Sequence, residues 1–311
     1  MKTAWGCKRY YSLNYFLRQK FGTKVFKISL DGGFSCPNRD GTISTEGCIY
    51  CSEKGSGDFA GDRNCCITEQ FQNIRNMMKN KWKDGKYIAY FQAYTNTYAP
   101  IEVLRKKYDE ALRQEDVVAL AVATRPDCLS EEVIDLLYEY SRKIYTWVEL
   151  GLQTSDENTA EIINRGYKLN VFEDAVKRLR CRNIDVVVHV IFGLPHETET
   201  DMLDTVKYLS AMNINGVKFH LLYLLKNTPM VSMYEEGDFK FLSQEQYIDI
   251  VCRALSILSQ NIVVHRLTGD APRNLLIGPM WSLRKWEILN GIDKELEERG
   301  IFQGIYSGAS L

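Results

Sequence analysis

The chain lacks several things, and each lack narrows what it can be. No stretch of its 311 residues reaches the roughly 18 uninterrupted apolar residues of a membrane-spanning helix. The start, Met1-Lys2-Thr3-Ala4-Trp5, has none of the apolar run that export needs. Both absences predict a cytoplasmic protein with no membrane partner. No internal repeat and no low-complexity linker occur. The formal net charge is −1, so bulk charge favours neither nucleic acid nor lipid. Nine cysteines is an odd number, which disfavours a complete disulfide framework. Without an export signal, those thiols point to a reducing compartment.

One local absence stands out. The first 27 residues hold no Asp or Glu but carry Lys2, Lys8, Arg9, Arg18, Lys20, Lys24 and Lys27. Aromatic residues interleave them: Trp5, Tyr10, Tyr11, Tyr15, Phe16, Phe21 and Phe26. Such a mixture can contact an RNA backbone and stack on bases. It can equally be an amphipathic segment with a solvated basic face.

Hydrophobic residues make up 45% of the chain, enough for a sizeable core. From residue 25 a rhythm of apolar β-branched run, polar loop and helical pattern recurs. The strands expected are Val25–Leu30, Tyr87–Gln92, Val117–Ala123, Thr146–Gly151, Val186–Phe192 and Val217–Leu222. Helices are expected near 66–82, 101–113, 130–142, 170–182 and 199–212. Ser130 and Thr198 read as N-caps. Strand–helix alternation implies right-handed βαβ units and a parallel sheet. Six units make the α/β fold a partial (β/α)6 TIM-like barrel or an open doubly wound sheet, with ligands at the C-terminal strand ends. The chain then divides into a basic-aromatic segment (1–24), a barrel (25–222) and a C-terminal helical extension packed on it (223–311). The extension should contain helices near 243–259 and 281–299 and a short apolar run, Asn261–His265.

The most informative residues are Cys36, Cys48 and Cys51. Eleven residues separate the first two and two separate the second pair. Pro37, Gly32, Gly33, Gly41 and Gly47 make this a loop of tight turns, directly after the first strand. Three thiolates can hold three irons of a four-iron cluster and leave the fourth open to a small molecule. No second C-x-x-C or H-x-x-x-H occurs, which disfavours structural zinc. A fourth ligand from Cys7, Cys65 or Cys66 would instead make a closed zinc site or a fully ligated cluster. Cys65 and Cys66 also read as packing residues at a helix start, and Cys128, Cys181 and Cys252 as small apolar side chains.

The loop resembles that of the radical S-adenosylmethionine (radical SAM) superfamily, with a longer gap than the usual three residues. Further stretches fit: Tyr90 to Pro100 after the second strand, Glu149-Leu150-Gly151-Leu152-Gln153-Thr154 at the fourth, and His189 to Glu197 at the fifth. Thr268-Gly269-Asp270-Ala271-Pro272-Arg273-Asn274-Leu275-Leu276 precedes Trp281-Ser282-Leu283. Together they look like the YhcC/YtqA-type group, relatives of the elongator catalytic subunit.

The resemblance implies a [4Fe–4S] cluster on Cys36, Cys48 and Cys51. The open iron would bind SAM, whose one-electron reduction yields methionine and a 5′-deoxyadenosyl radical that takes hydrogen from a substrate. Tyr50 would lie near the adenine. Gln92, Tyr94 and Thr95 would face the methionine end of SAM, although this loop is not the glycine-rich version of many relatives. Glu149 and Gln153 would contact the ribose or methionyl groups. Ile191 and Gly193 would pack near the adenine, with Phe219 and His220 close by. His189 stands where relatives often carry glycine. Taken from the residues alone, Glu149 could equally be ion-paired in the barrel mouth, Gln153 could serve loop backbone, and His189 could be an interior histidine.

A reductant such as flavodoxin or ferredoxin is implied, as is a transfer RNA substrate, particularly the C5 side chain of a wobble uridine. Arg266, Arg273, Arg284 and Lys285 could contact RNA phosphates. The acetyltransferase domain of elongator-type proteins is missing from the sequence, so a different step, such as trimming an existing side chain, is expected. A small metabolite or peptide substrate, or a non-catalytic iron–sulfur or zinc protein, are the competing classes.

Overall fold

The computed structural model describes residues 5–79 and 85–308. Lys2, the end of the helix expected over 66–82 and the last three residues of the extension lie outside them.

The expected strands form at nearly the expected bounds: β1 (Val25–Leu30), β2 (Lys86–Phe91), β3 (Val117–Thr124), β4 (Tyr145–Gln153), β5 (Asp185–Phe192) and β6 (Gly216–Leu221). Helices connect them: α2 (Ile67–Lys79), α3 (Ile101–Leu112), α4 (Glu131–Ser141), α5 (Glu157–Ile162) with α6 (Leu169–Cys181), and α7 (Glu199–Ala211). The caps read from sequence are present. Ser130 accepts from the Val133 N–H, and Thr198 forms a capping box with Asp201.

All neighbouring strands run parallel, in the order β1-β2-β3-β4-β5-β6 and then β8 (Val263–Arg266). The fold is thus the expected partial barrel, with a seventh strand added. That strand, β8, arises from the apolar run near residue 261 and pairs with β6. Four residues are too few to show a strand period, so the run announced itself only as apolar.

The remaining elements are β7 (Leu224–Leu225), α8 (Met230–Glu235), α9 (Gln244–Ile257), β9 (Leu276–Gly278) and α10 (Lys285–Glu298). β7 and β9 form a small antiparallel ribbon beside the sheet.

Period-two alternation gives the sheet two different faces. The outward face, including Ile28, Phe91, Val148, Val188 and Phe219, packs under the helices as the main core. The inward face is mostly apolar at its lower end. There Ile88, Ala119, Ala121 and Trp147 meet Leu13, Phe16, Leu17 and Phe21 of α1 (Leu13–Phe21). This N-terminal helix starts on Ser12, whose side chain accepts from the Tyr15 N–H, and stops at Gly22 in the left-handed conformation. It plugs the floor of the half-barrel.

The N-terminal aromatics are therefore packing residues. Phe16 and Phe21 lie 5.8 and 6.2 Å from the Tyr145 ring, and Trp5 stacks on Tyr11. They sit at the strand ends opposite the cysteine loop. The C-terminal tail seals the same end: buried Gln303 donates to the Ser259 and Ile262 carbonyls and accepts from the Tyr11 N–H.

Candidate active site

The C-terminal strand ends open into a cavity of about 690 Å3, and Cys36, Cys48 and Cys51 lie on its wall. Local turns hold the loop that carries them. The Arg39 N–H donates to the Cys36 carbonyl at 2.8 Å, and the Cys51 N–H to the Cys48 carbonyl at 3.0 Å. Asn38, fully buried, donates to the Asn164 carbonyl at 2.7 Å, and its amide nitrogen stands 3.6 Å from the Cys48 sulfur. The Arg39 guanidinium donates to the Cys51 carbonyl, and Ser56 Oγ lies 3.7 Å from the Cys51 sulfur.

The segment leaving β2 clamps this loop. The Gln92 amide donates to the Ser56 carbonyl at 2.8 Å, the Thr95 N–H to the Ser35 carbonyl at 3.2 Å, and the Tyr94 hydroxyl to the Glu53 carbonyl. Gly55 makes the close approach possible. Its φ is +56°, and a Cβ there would lie 2.4 Å from the Tyr94 ring. Gln92, Tyr94 and Thr95 thus line the cavity, with hydrogen bonds directed to the cysteine loop.

Burial pushes the Cys48 thiol up to about 11 and raises Cys51 as well. Arg125 beside Cys48 and Arg39 beside Cys51 pull the other way, toward thiolate. Among the described residues no three His, Cys, Asp or Glu side chains converge on one metal ion. The thiolates of a cluster bind separate irons and stand further apart than the ligands of one tetrahedral zinc. Three thiols on one cavity wall therefore suit a cluster. Cys7, Cys65 and Cys66 do not line this cavity.

Beneath the loop the barrel interior is charged. Glu149, 1% exposed, accepts from Lys27 Nζ at 3.0 Å, Trp147 Nε1 at 2.9 Å, His189 Nε2 at 2.9 Å and the Lys218 ammonium. Lys218 also reaches the Tyr90 hydroxyl at 3.1 Å. The facing Lys218 and Lys27 ammoniums keep Glu149 ionised, well below the usual carboxylate range, against the opposing effect of burial. Burial, then the Lys218 charge, pushes His189 down to about 4, so its ring is neutral. Glu149 was expected at SAM. Its two oxygens are instead taken by four donors of this chain, which makes it the counter-ion of the interior.

Tyr50, Gln153, Ile191 and His220 also line the cavity. Tyr50 packs with Ile191 and Leu222. Gln153 sits at a bulge in β4 with φ +69°. Two expected residues do not reach the cavity. Phe219 is fully buried on the outward face, stacked on Phe192 at 5.0 Å. It adjoins His220, and neighbours in a strand point to opposite faces. Gly193 turns toward Leu242, and its N–H meets the Met202 sulfur at 3.2 Å.

The inward face adds Lys218, Tyr90 and Arg266, and the loops add Arg125 and Tyr167. Alternation in Gly216-Val217-Lys218-Phe219-His220-Leu221 carried the signal for Lys218, two residues from His220. Of the four basic residues expected at RNA phosphates, Arg266 and Arg273 line the cavity, while Arg284 pairs with Glu287 and Lys285 with Asp270.

A parallel half-barrel whose strand ends open into a deep cavity beside three cysteines is an enzyme architecture. Sequence comparison gives the class a family. The profile described as the radical SAM superfamily matches residues 40–209, and that of the Radical_SAM C-terminal domain matches residues 214–298. The uncharacterised protein YtqA of Bacillus subtilis is 54% identical over 297 residues, 96% of this chain and 92% of that one. A tRNA uridine(34) acetyltransferase of Methanocaldococcus jannaschii is 25% identical over 187 residues, 59% of this chain and 34% of that one. In fold, the chain resembles the Elp3 structure of Methanocaldococcus infernus, with a TM-score of 0.65 at 16% identity over 91% of this chain and 67% of that one. The chain belongs to the radical SAM superfamily, in its YhcC/YtqA-type group, and is an enzyme of that class. No helix among the described residues is long and apolar enough to cross a membrane.

Proposed function

We propose that this enzyme uses Cys36, Cys48 and Cys51 to hold a [4Fe–4S] cluster with one open iron, binds SAM there, and modifies the C5 side chain of a tRNA wobble uridine. The observation that carries the reading is the set of three cysteines on one cavity wall, with no fourth among the described residues that line it. When bound and reduced, cluster and SAM together supply a 5′-deoxyadenosyl radical for hydrogen abstraction.

The chain's own residues hold and shield that chemistry. Deprotonation of half-buried Cys48 and Cys51 accompanies cluster binding, and Arg125 and Arg39 offset the added negative charge. Asn38 and Ser56 stand near two of the sulfurs, as donors to a bound cluster would. Tyr50 and Ile191 offer an apolar wall for the adenine, and Gln153 a polar edge. Glu149 acts indirectly, fixing Lys27, Lys218 and His189 beneath the reaction space. A flavodoxin- or ferredoxin-type protein is the electron donor in this reading.

For the tRNA substrate, support comes from the likeness to the tRNA uridine(34) acetyltransferase and from the cavity rim. Ser282 and Leu283 line the cavity, and nearby in sequence Trp286 and Met280 are 76% and 60% exposed. An exposed indole ring beside a basic mouth can stack on a base. The reading is tested by anaerobic incubation of reconstituted enzyme, SAM and a reductant with tRNA from cells lacking this gene. A mass change in a wobble nucleoside is expected. SAM cleavage with every nucleoside unchanged overturns the RNA assignment.

A further inference from the structure

We propose that the β6–β8 wall of the cavity is a recognition site for an oxyanion on the substrate, a carboxylate or a phosphate, with Arg266 as its cationic centre. This deepens the proposed function, since it rests on reading the cavity as the place where substrate meets the cysteine-bound centre.

Arg266 ends β8 and lines the cavity, yet it forms no ion pair among the described residues. Asp270, the acid on the same wall, is held by Lys285. Polar atoms that line the cavity and are buried without a hydrogen-bond partner among the described residues include His220 Nε2 on β6, Tyr223 Oη just beyond it, and Ser282 Oγ. Burial holds His220 neutral, so its ring can offer one N–H. A buried donor left without an acceptor is costly, so several such groups lining one cavity imply a missing partner.

The charges agree. Around the interior stand Lys27, Lys218 and Arg266, and Glu149 is already bonded to both lysines. Cationic excess in a dry cavity favours an anion, and a guanidinium beside hydroxyl and imidazole donors suits the planar fork of an oxyanion. The wall belongs to the sheet edge opposite β1, the strand that feeds the cysteine loop. SAM carries a carboxylate too, so the site belongs to the substrate only if the probes below still bind when SAM is saturating; loss of binding under saturating SAM overturns the assignment.

Calorimetric titration of the reconstituted protein at pH 7 and fixed ionic strength tests this, with inorganic phosphate and sodium acetate as probes and the chloride salt as control. Wild type should bind at least one probe at millimolar concentration. Arg266→Met should weaken that binding about tenfold or more, and Arg266→Lys should fall between, keeping the charge and losing the fork. Preference for phosphate assigns the site to an RNA or nucleotide phosphate; preference for acetate assigns it to a carboxylate on the reacting side chain. The proposal is overturned if wild type binds neither probe, or if Arg266→Met binds as wild type does while circular dichroism shows both folded. No SAM cleavage enters the measurement, so failure here is separable from failure of the radical chemistry.

Discussion

Nε2 of His189 lies 2.9 Å from Oε2 of Glu149, the same carboxylate oxygen that receives the Lys218 ammonium. One buried carboxylate thus organises a histidine and, through its other oxygen, Lys27 and Trp147. Removing a member of a buried ion pair is costlier than never having built it, because the partner charge stays behind. Glu149→Gln should lower unfolding free energy by about 3–5 kcal/mol in denaturant titrations. Lys218→Met, which leaves Glu149 paired with Lys27, should cost less. Equal stability of Glu149→Gln and wild type would remove the carboxylate from its place as anchor.

Acid should weaken the fold through the neutral histidines. Burial, then Lys218, depresses His189 to about 4, and burial lowers His220 and His265 in the same direction. A depressed folded-state pKa means the unfolded chain takes the proton first as pH falls. The stability is fully present above about pH 6.5 and is lost between there and about pH 4. His189 alone contributes at most about 3 kcal/mol across that window. Denaturant midpoints at pH 7, 5.5 and 4.5 should fall in sequence, and His189→Gln should flatten the slope.

Glu197 should act in the opposite sense. Burial pushes its carboxyl up to about 8, and one of its oxygens is buried without a hydrogen-bond partner. A raised folded-state value gives stability that is present below the unfolded pKa of about 4.5 and lost as pH rises through 8. Glu197→Gln removes that penalty and should stabilise the protein by up to about 3 kcal/mol at pH 7, and by little at pH 4.5. A stabilisation that does not grow with pH would mean that Glu197 is not held protonated.

Much of this arrangement was legible in the sequence, for a physical reason. Long apolar runs separated by capped helices fixed six strands, and the loop after Leu30 placed the cysteines at the functional end. What escaped was short or facing. β8 spans four residues and shows no period. Phe219 and His220 were read as one pair although a strand turns neighbours to opposite faces. The N-terminal aromatics had two readings, and only tertiary packing against Tyr145 decided between them. Glu149 was visible as a site residue, but its four donors come from three strands besides β4's own Trp147, which no local pattern links.

Gly55 should be sensitive out of proportion to its size. Alanine there meets the Tyr94 ring and a left-handed backbone, on the loop that positions Cys51. Gly55→Ala should bind less iron and sulfide per chain after reconstitution while its far-ultraviolet spectrum stays native. Full iron content would show that the clamp from Tyr94 does not shape the cysteine loop.

The most direct test of the central claim is 5′-deoxyadenosine formation by anaerobically reconstituted protein given dithionite and SAM. Wild type should form it; Cys36→Ala, Cys48→Ala and Cys51→Ala should not, while Cys65→Ala and Cys66→Ala should. No 5′-deoxyadenosine from wild type carrying a full cluster, or as much from Cys48→Ala, would contradict the account.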